Sequence, residues 1–204
     1  MSDINMWEIE NAYYNQGFQT ICGVDEAGRG PLAGPVCAAA VILPLNHSIP
    51  GLNDSKKLSD KKRRELYPLI KEQAIAYGIA FADEREIDEI NILQATFLAM
   101  QRAIDQLAVK PDLALVDGNR EKDFGIPVKT VVHGDSLSAS IAAASVLAKV
   151  TRDDLMLKIA EEYPQYSFEI HKGYGTKAHY AAISEHGPSP VHRMTFLKMF
   201  YGEK

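Results

Sequence analysis

The chain has 204 residues, 46% hydrophobic and 24% charged, the composition of a globular protein with one substantial core. Its longest apolar run, Ile141 to Val150, is interrupted by Ser145 and Lys149 and falls short of the ~20 residues a membrane helix needs. The two cysteines exclude a disulfide framework or a four-ligand zinc site, and a net charge of −5 argues against unselective binding of polyanions.

The acidic start, with Asp3, Glu8 and Glu10, lacks the basic and apolar regions of a signal peptide, so a cytoplasmic protein with no membrane contact is expected. Asn5 to Gln16 suits a short amphipathic helix closed by Gly17. A strand over about 19–25 follows and delivers Asp25 and Glu26 to a stretch that Gly28, Gly30, Pro31, Gly34 and Pro35 break at once. Carboxylates at the rim of a core lose hydration and need a cation, a donor or a proton. A metal ion meets that need, as would a turn cap or an ion pair with Arg29. Pleating turns consecutive side chains to opposite faces, so Glu26 must lie at the bend, reach around, or offer its backbone carbonyl. Val36 to Leu43 reads as a second strand paired with the first and ending at Pro44. That pairing would set Cys22 and Cys37 nearly opposite each other as buried, reduced thiols.

Asn53 to Ser59 is a polar loop, and Ser59 is the N-cap of a helix from Asp60 to about Ala74. Lys56, Lys57, Lys61, Lys62, Arg63 and Arg64 make this region basic, either as a solvated helix face or as a surface for a polyanion. Tyr77 to Ala82 reads as a third strand. Leu93, Phe97, Met100, Ile104 and Leu107 form a core-facing helical stripe over 91–107. Asp112 to Val116 is a short apolar strand that delivers Asp117 just before Gly118. Val128 to Val132 repeats the pattern, with Asp135 after His133 and Gly134. In open α/β sheets sites form at the carboxyl ends of strands, so Asp25, Glu26, Asp117 and Asp135 are expected to converge.

Ser136 opens a helix whose centre, Ala142 to Ala148, is small and apolar on every side, which suits a central, closely packed helix. Ser138 and Lys149 are candidates to point into the site. Arg152, Asp153 and Asp154 are expected to face solvent as the helix emerges, with Asp153 the second choice, after Asp135, for a fourth carboxylate. Beyond Tyr163 and Pro164, Tyr174 stands between Gly173 and Gly175 with Lys172 and Lys177 close by in sequence. Such a ring can meet a ligand beside lysines suited to phosphate, although a ring packed on the core beneath a turn would read the same. Thr176 is the N-cap of a helix reaching Glu185, which Gly187 and Pro188 end, and His192 and Arg193 follow in a loop, Arg193 adding to the basic character of this region.

Taken in order, Gly23 to Gly34 (GVDEAGRGPLAG), Asn53 to Leu58 (NDSKKL), Val116 to Asn119 (VDGN), Gly134 to Ser138 (GDSLS), Ala142 to Asp153 (AAASVLAKVTRD), Tyr163 to Phe168 (YPQYSF), Lys172 to Thr176 (KGYGT) and Val191 to Phe196 (VHRMTF) closely resemble bacterial ribonuclease HII, over roughly residues 18–197. The resemblance implies a ribonuclease H-like α/β fold, a mixed five-stranded sheet flanked by helices, in a single domain over 1–204 with a small helical C-terminal extension from about 163. It implies an endonuclease that cuts RNA in RNA–DNA hybrids and nicks 5′ of a single ribonucleotide in duplex DNA, leaving 3′-hydroxyl and 5′-phosphate ends. Asp25, Glu26, Asp117 and Asp135 match the carboxylates that bind Mn²⁺ or Mg²⁺. Gly28, Arg29 and Gly30 match the motif that senses the ribose 2′-hydroxyl, and Tyr174 matches the tyrosine that stacks beneath the adjacent deoxyribose. The expected partner is a nucleic-acid duplex and the expected state a monomer, without the extra N-terminal domain of the related ribonuclease HIII. With Phe196 close to the end of the sequence, the extended tail of some relatives is expected to be missing.

The residues fit this chemistry on their own terms. Unit charges about 4 Å apart interact by roughly 4 kcal/mol at an effective dielectric near 20, so convergent carboxylates need a cation. Hard oxygen ligands favour Mg²⁺ or Mn²⁺ over zinc, and two such ions can align an attacking water and steady a leaving 3′-oxygen. A non-catalytic duplex-binding module would not need four acids facing phosphate. A phosphatase of small esters would not need the exposed Gly-Tyr-Gly loop.

Overall fold

A computed structural model describes residues 5–202; Asp3, and the outermost positions of the expected 1–204 domain, lie outside them. The elements are α1 (Glu8–Tyr14), β1 (Ile21–Ala27), β2 (Val36–Ile42), α2 (Asp60–Gln73), β3 (Ala76–Ala82), α3 (Glu84–Asp105), β4 (Leu113–Asp117), β5 (Val128–Val131), α4 (Ala139–Glu162), α5 (Phe168–His171), α6 (Lys177–His186) and α7 (Met194–Leu197). The strands form one mixed sheet in the order β3-β2-β1-β4-β5. β2 runs antiparallel to both β1 and β3, whereas β1, β4 and β5 are parallel. Among the described residues no helix is long and apolar enough to cross a membrane.

Both faces of the sheet are covered. On one, Cys22, Val24, Ala38, Ala40 and Val116 pack against Phe97 and Met100 of α3. On the other, Cys37, Ala39 and Val41 meet Leu66 and Ile70 of α2 and Val146 and Leu147 of α4. The all-buried β2, sequence VCAAAVI, is what a strand covered on two faces requires. A third cluster joins Leu32 and Ala33 to Met156 and Ile159 of α4 and to Phe168, Ile183 and Leu197 of the C-terminal helices. The C-terminal segment is thereby seated against the loop that follows β1.

Several expectations are corrected. The pairing of Ala27 with Cys37 and Gly23 with Val41 sets the two thiols at opposite ends of the ladder and on opposite faces, so they are not opposed. Helix α3 starts at Glu84, on a reciprocal cap between Asp83 and Glu86, and Asn91 at φ 67° breaks it. The Asn91 side chain then accepts from the N–H groups of Leu93 and Gln94, starting afresh the segment that the apolar stripe marks. Gly134–Ser136 is a 3₁₀ turn, and α4 begins only at Ala139 with Ser138 as its cap. Ser138 is fully buried and donates to Glu10 of α1, which also accepts from the Ser140 N–H and hydroxyl; Ser138 is therefore part of the α1–α4 joint and not of the site. The carboxylate of Glu10 at the N-terminus of α4 suits the dipole there.

Helix α4 lies directly on β1 because Gly23 has no side chain. A β-carbon there would stand 2.1 Å from the Ser140 carbonyl carbon. Gly23→Ala should therefore destabilise the fold by about 1–3 kcal/mol or more, since the obstruction is backbone that must move. Gly30→Ala, whose β-carbon would find its nearest neighbour 3.5 Å away on the Tyr174 ring, should change stability by less than about 0.5 kcal/mol. Urea unfolding of the two variants beside wild type checks both.

Candidate active site

The parallel register places Val24 beside Val116. Asp25 and Asp117, one step further on, are therefore neighbours at the carboxyl ends of adjacent strands. Both fall on the α4 side of the sheet, the side of Gly23 and Leu115. Asp135 arrives from the 3₁₀ turn after β5, and that turn is tied to β4 by the Gly134 N–H, which donates to Asp117 Oδ1 at 2.7 Å. One carboxylate oxygen from each of Asp25, Asp117 and Asp135 lies within 4.8 Å of the other two.

Glu26 is outside this triad. Strand β1 runs on to Ala27, so the pleat turns Glu26 toward α3, where Arg29 Nη1 lies 3.4 Å from its Oε1. Glu26 still borders the triad, and burial, with the Asp117 charge adding to it, raises its carboxyl against the pull of Arg29. Asp153 is buried but 2.7 Å from Lys149 Nζ, an ion pair one helical turn long and apart from the three acids.

Charge dominates the energetics here. Asp25 is buried, and its carboxyl is pushed well above the usual range, first by desolvation and then by the charges of Glu26 and Asp117. Asp135 is raised by the same two kinds of cause, burial and then Asp117, against the pull of Lys56. The Lys56 ammonium, 3.3 Å from Asp135 Oδ2 on a side chain 75% exposed, partly offsets this charge. A set of hard carboxylate oxygens too close to be charged together without a cation fits a divalent ion such as Mg²⁺ or Mn²⁺.

The loop from Gly28 to Pro35 is held by two buried arginines that sequence reasoning did not find. Arg193, fully buried, donates to the carbonyls of Gly28, Arg29 and Gly34 at 2.6–2.9 Å. Arg152, 1% exposed, donates to those of Ala33, Pro35 and Lys172 at 2.9–3.1 Å. The expectation that Arg152 and Asp153 face solvent is thus overturned, because α4 keeps its inner stripe against the loop after it has passed the sheet. Arg193 likewise adds nothing to a basic surface. Burial, then the charge of the other arginine, lowers the Arg193 guanidinium to about 9. The available signal was an arginine in each of two short motifs whose other residues are mostly apolar or small. Gly28 is required twice over: its φ is +96°, and a β-carbon would collide with the Arg152 side chain at 1.9 Å.

A cleft of about 200 Å³ lies beside the acids, lined by Gly28, Arg29, Gly30, Lys56, Lys149 and Tyr174. Tyr174 is 46% exposed, so its ring is not packed beneath a turn. On the other side of Glu26 and Asp117 a groove of about 350 Å³ runs past Phe97, Asn119 and Arg120. The structure therefore brings Gly28, Arg29, Gly30 and Tyr174 to one wall and Asp25, Asp117 and Asp135 to one point, with Glu26 between cleft and groove.

Comparison with known proteins places this arrangement. The family model described as Ribonuclease HII matches residues 22–199. The chain is 56% identical over 193 residues to Ribonuclease HII of Endomicrobium trichonymphae, covering 94% of this chain and 92% of that protein. It is 60% identical over 176 residues to Ribonuclease HII of Dechloromonas aromatica, covering 86% and 90%. The crystal structure of ribonuclease H2 from Pyrococcus horikoshii aligns with a TM-score of 0.72 at 26% identity, over 87% of this chain and 93% of that one.

The raised carboxyls carry a sign that can be measured. A carboxyl whose folded-state pKa lies above its unfolded value of about 4 costs no stability below that value, and costs progressively more as pH rises toward the folded pKa. In EDTA, Asp25→Asn should therefore melt several degrees above wild type at pH 7, as about 1 kcal/mol shifts a domain of this size by roughly 2–4 °C. The gap should close as the pH falls to about 4. Mn²⁺ or Mg²⁺ should raise the melting temperature of wild type and much less that of the variant. Calorimetry across pH, with and without the ion, checks both; a variant less stable than wild type at pH 7 in EDTA would contradict the charge argument.

Proposed function

The chain belongs to the ribonuclease HII family of metal-dependent ribonucleases H, which act on RNA–DNA hybrids, and we propose that it also nicks 5′ of a single ribonucleotide in duplex DNA, leaving a 3′-hydroxyl and a 5′-phosphate. The observation that carries this reading is the meeting of three carboxylates, two from adjacent strands and one from the turn after β5, within 4.8 Å beside a cleft walled by the Gly28–Gly30 loop and an exposed tyrosine.

Asp25, Asp117 and Asp135, with Glu26 at their edge, would hold the divalent ions, Mg²⁺ or Mn²⁺. Bound there, the ions supply an oriented water nucleophile and offset the charge of the leaving 3′-oxygen. The protein does the rest by placement. Arg193 engages the carbonyls of Gly28 and Arg29, so the loop meets the 2′-hydroxyl chiefly with its N–H groups, and that hydroxyl is what separates ribose from deoxyribose. Gly30, lacking a β-carbon, leaves room for a sugar between the loop and Tyr174. The Tyr174 ring stacks on the neighbouring deoxyribose, and Lys56 and Lys149 on the cleft wall meet phosphate. Residues from about 163 onward form an extension of one domain, seated on α4 and on the recognition loop, and the protein works as a monomer.

The direct test is cleavage of a labelled DNA duplex containing one ribonucleotide, with and without Mg²⁺ or Mn²⁺. Asp25→Asn and Asp117→Asn should abolish cleavage and leave duplex binding largely intact; turnover near wild type in either would remove the residue from the site. Asp135→Asn should lose more activity than Asp153→Asn, because Asp153 is satisfied by Lys149. Tyr174→Ala should lower cleavage at the lone ribonucleotide by at least about tenfold, an increase in barrier of about 1.4 kcal/mol, with Tyr174→Phe losing less.

A further inference from the structure

Under the Gly-Tyr-Gly loop three histidines are buried side by side: His179 at 0%, His192 at 3% and His171 at 9% exposure. Their hydrogen bonds have one consistent direction. Both the Ser189 N–H, at 2.9 Å, and the Ser189 hydroxyl, at 2.8 Å, face His192 Nδ1, which must therefore accept, leaving the ring proton on Nε2. That proton points to His179 Nε2 at 3.0 Å. His179 then carries its own proton on Nδ1 and donates it to the Tyr174 carbonyl at 2.9 Å. Burial, with the neighbouring rings adding to it, lowers both His179 and His192, the latter to about 4, so each ring is neutral and has one proton to give. His171 stacks on His179 at 4.5 Å between ring centres and accepts from the Gly173 N–H at 3.2 Å.

This relay ends on the one residue of the loop whose ring stands free. Glycine on each side leaves the Tyr174 backbone little intrinsic preference. Tyr174 is 46% exposed and its side chain has no hydrogen bond among the described residues, so on the protein side it is held through its backbone, whose N–H donates to the His171 carbonyl at 2.9 Å. Among the described residues, the Thr176 N–H alone joins the His179 ring in donating to the Tyr174 carbonyl.

We propose that His192 and His179 are positioning residues for substrate recognition: the directed chain Ser189 to His192 to His179 fixes the Tyr174 peptide and thereby holds the ring where it meets a sugar. The proposal rests on the stacking role given to Tyr174 above. Both histidines are buried beneath the loop and act through Tyr174.

The test is a double-mutant cycle on the duplex with one ribonucleotide, reading kcat and KM at saturating Mn²⁺, with thermal melting of each protein. His179→Leu removes the donor and keeps a buried apolar side chain, and should raise KM about fivefold, the size expected for one hydrogen bond that orders a contact. His179→Asn, whose amide nitrogen can take the place of Nδ1, should recover most of that loss. In the Tyr174→Ala background His179→Leu should change KM no further. His192→Phe, one link back, should show the same pattern with a smaller loss, and it carries the test if His179→Leu does not fold. Equal losses with and without Tyr174, or an asparagine variant no better than leucine, would overturn the proposal and leave the histidines a role in the fold alone. If Tyr174→Ala itself cleaves like wild type, the stacking role falls first and this proposal with it. An impaired Tyr174→Ala with additive histidine effects removes only the positioning role.

Discussion

The arrangement depends on one close approach, the backbone of α4 at Ser140 against Gly23 of β1. With a side chain on residue 23 the helix would be lifted from the sheet, and every residue further along it would be displaced from its partner. With glycine there, successive inner positions of α4 come into register with the site. Ser145 faces Asp25 and hydrogen-bonds Ser55, Lys149 reaches the cleft, Arg152 meets the Gly28–Pro35 loop and Met156 packs beneath that loop. These positions are four, three and four residues apart, the spacing of a single helical stripe. One stripe thus serves first the core, then the acids, then the loop.

The loop itself shows how a glycine- and proline-rich segment can be rigid. Its hydrogen-bonding capacity lies mostly in carbonyls, and two guanidinium groups, each with donors in a fixed fork, satisfy five of them from the buried side. Neither arginine has a carboxylate within ion-pairing distance among the described residues. A guanidinium without its carbonyls would be a buried, unpartnered charge, and the loop without the arginines would leave polar groups unsatisfied in the core. Loop and clamp therefore stand or fall together, and the wall of the cleft is fixed before any ligand arrives. The acids are the opposite case. They gather without adequate compensation, and among the described residues Lys56, on a side chain 75% exposed, is the one cation paired with them, which is how a site built to take a cation should look.

Much of this was legible in the residues. Local pattern determined the strands, the caps at Ser59 and Thr176, the helix end at Gly187, and the delivery of Asp25, Asp117 and Asp135 to strand ends, because each depends on nearest neighbours in sequence: period-two burial, side-chain caps and glycine breaks. The ordered motifs likewise marked the family and with it the candidate residues. What the sequence left open depended on distance in space. Alternation along β1 said that Asp25 and Glu26 diverge, but only the register with β4 and the reach of β1 to Ala27 decided that Asp25 joins the triad while Glu26 turns toward Arg29. Cys22 and Cys37 were separated by the register of β1 with β2. The burial of Arg152 and Arg193 had no local signature, because the carbonyls they meet in the loop after β1 are more than a hundred residues away along the chain; Asp153 is buried on the same stretch of α4 and pairs within the helix with Lys149. The histidine relay lies within Tyr174 to His192 and was hidden for a different reason: hydrogen bonds between rings are set by a tertiary packing that periodicity does not encode.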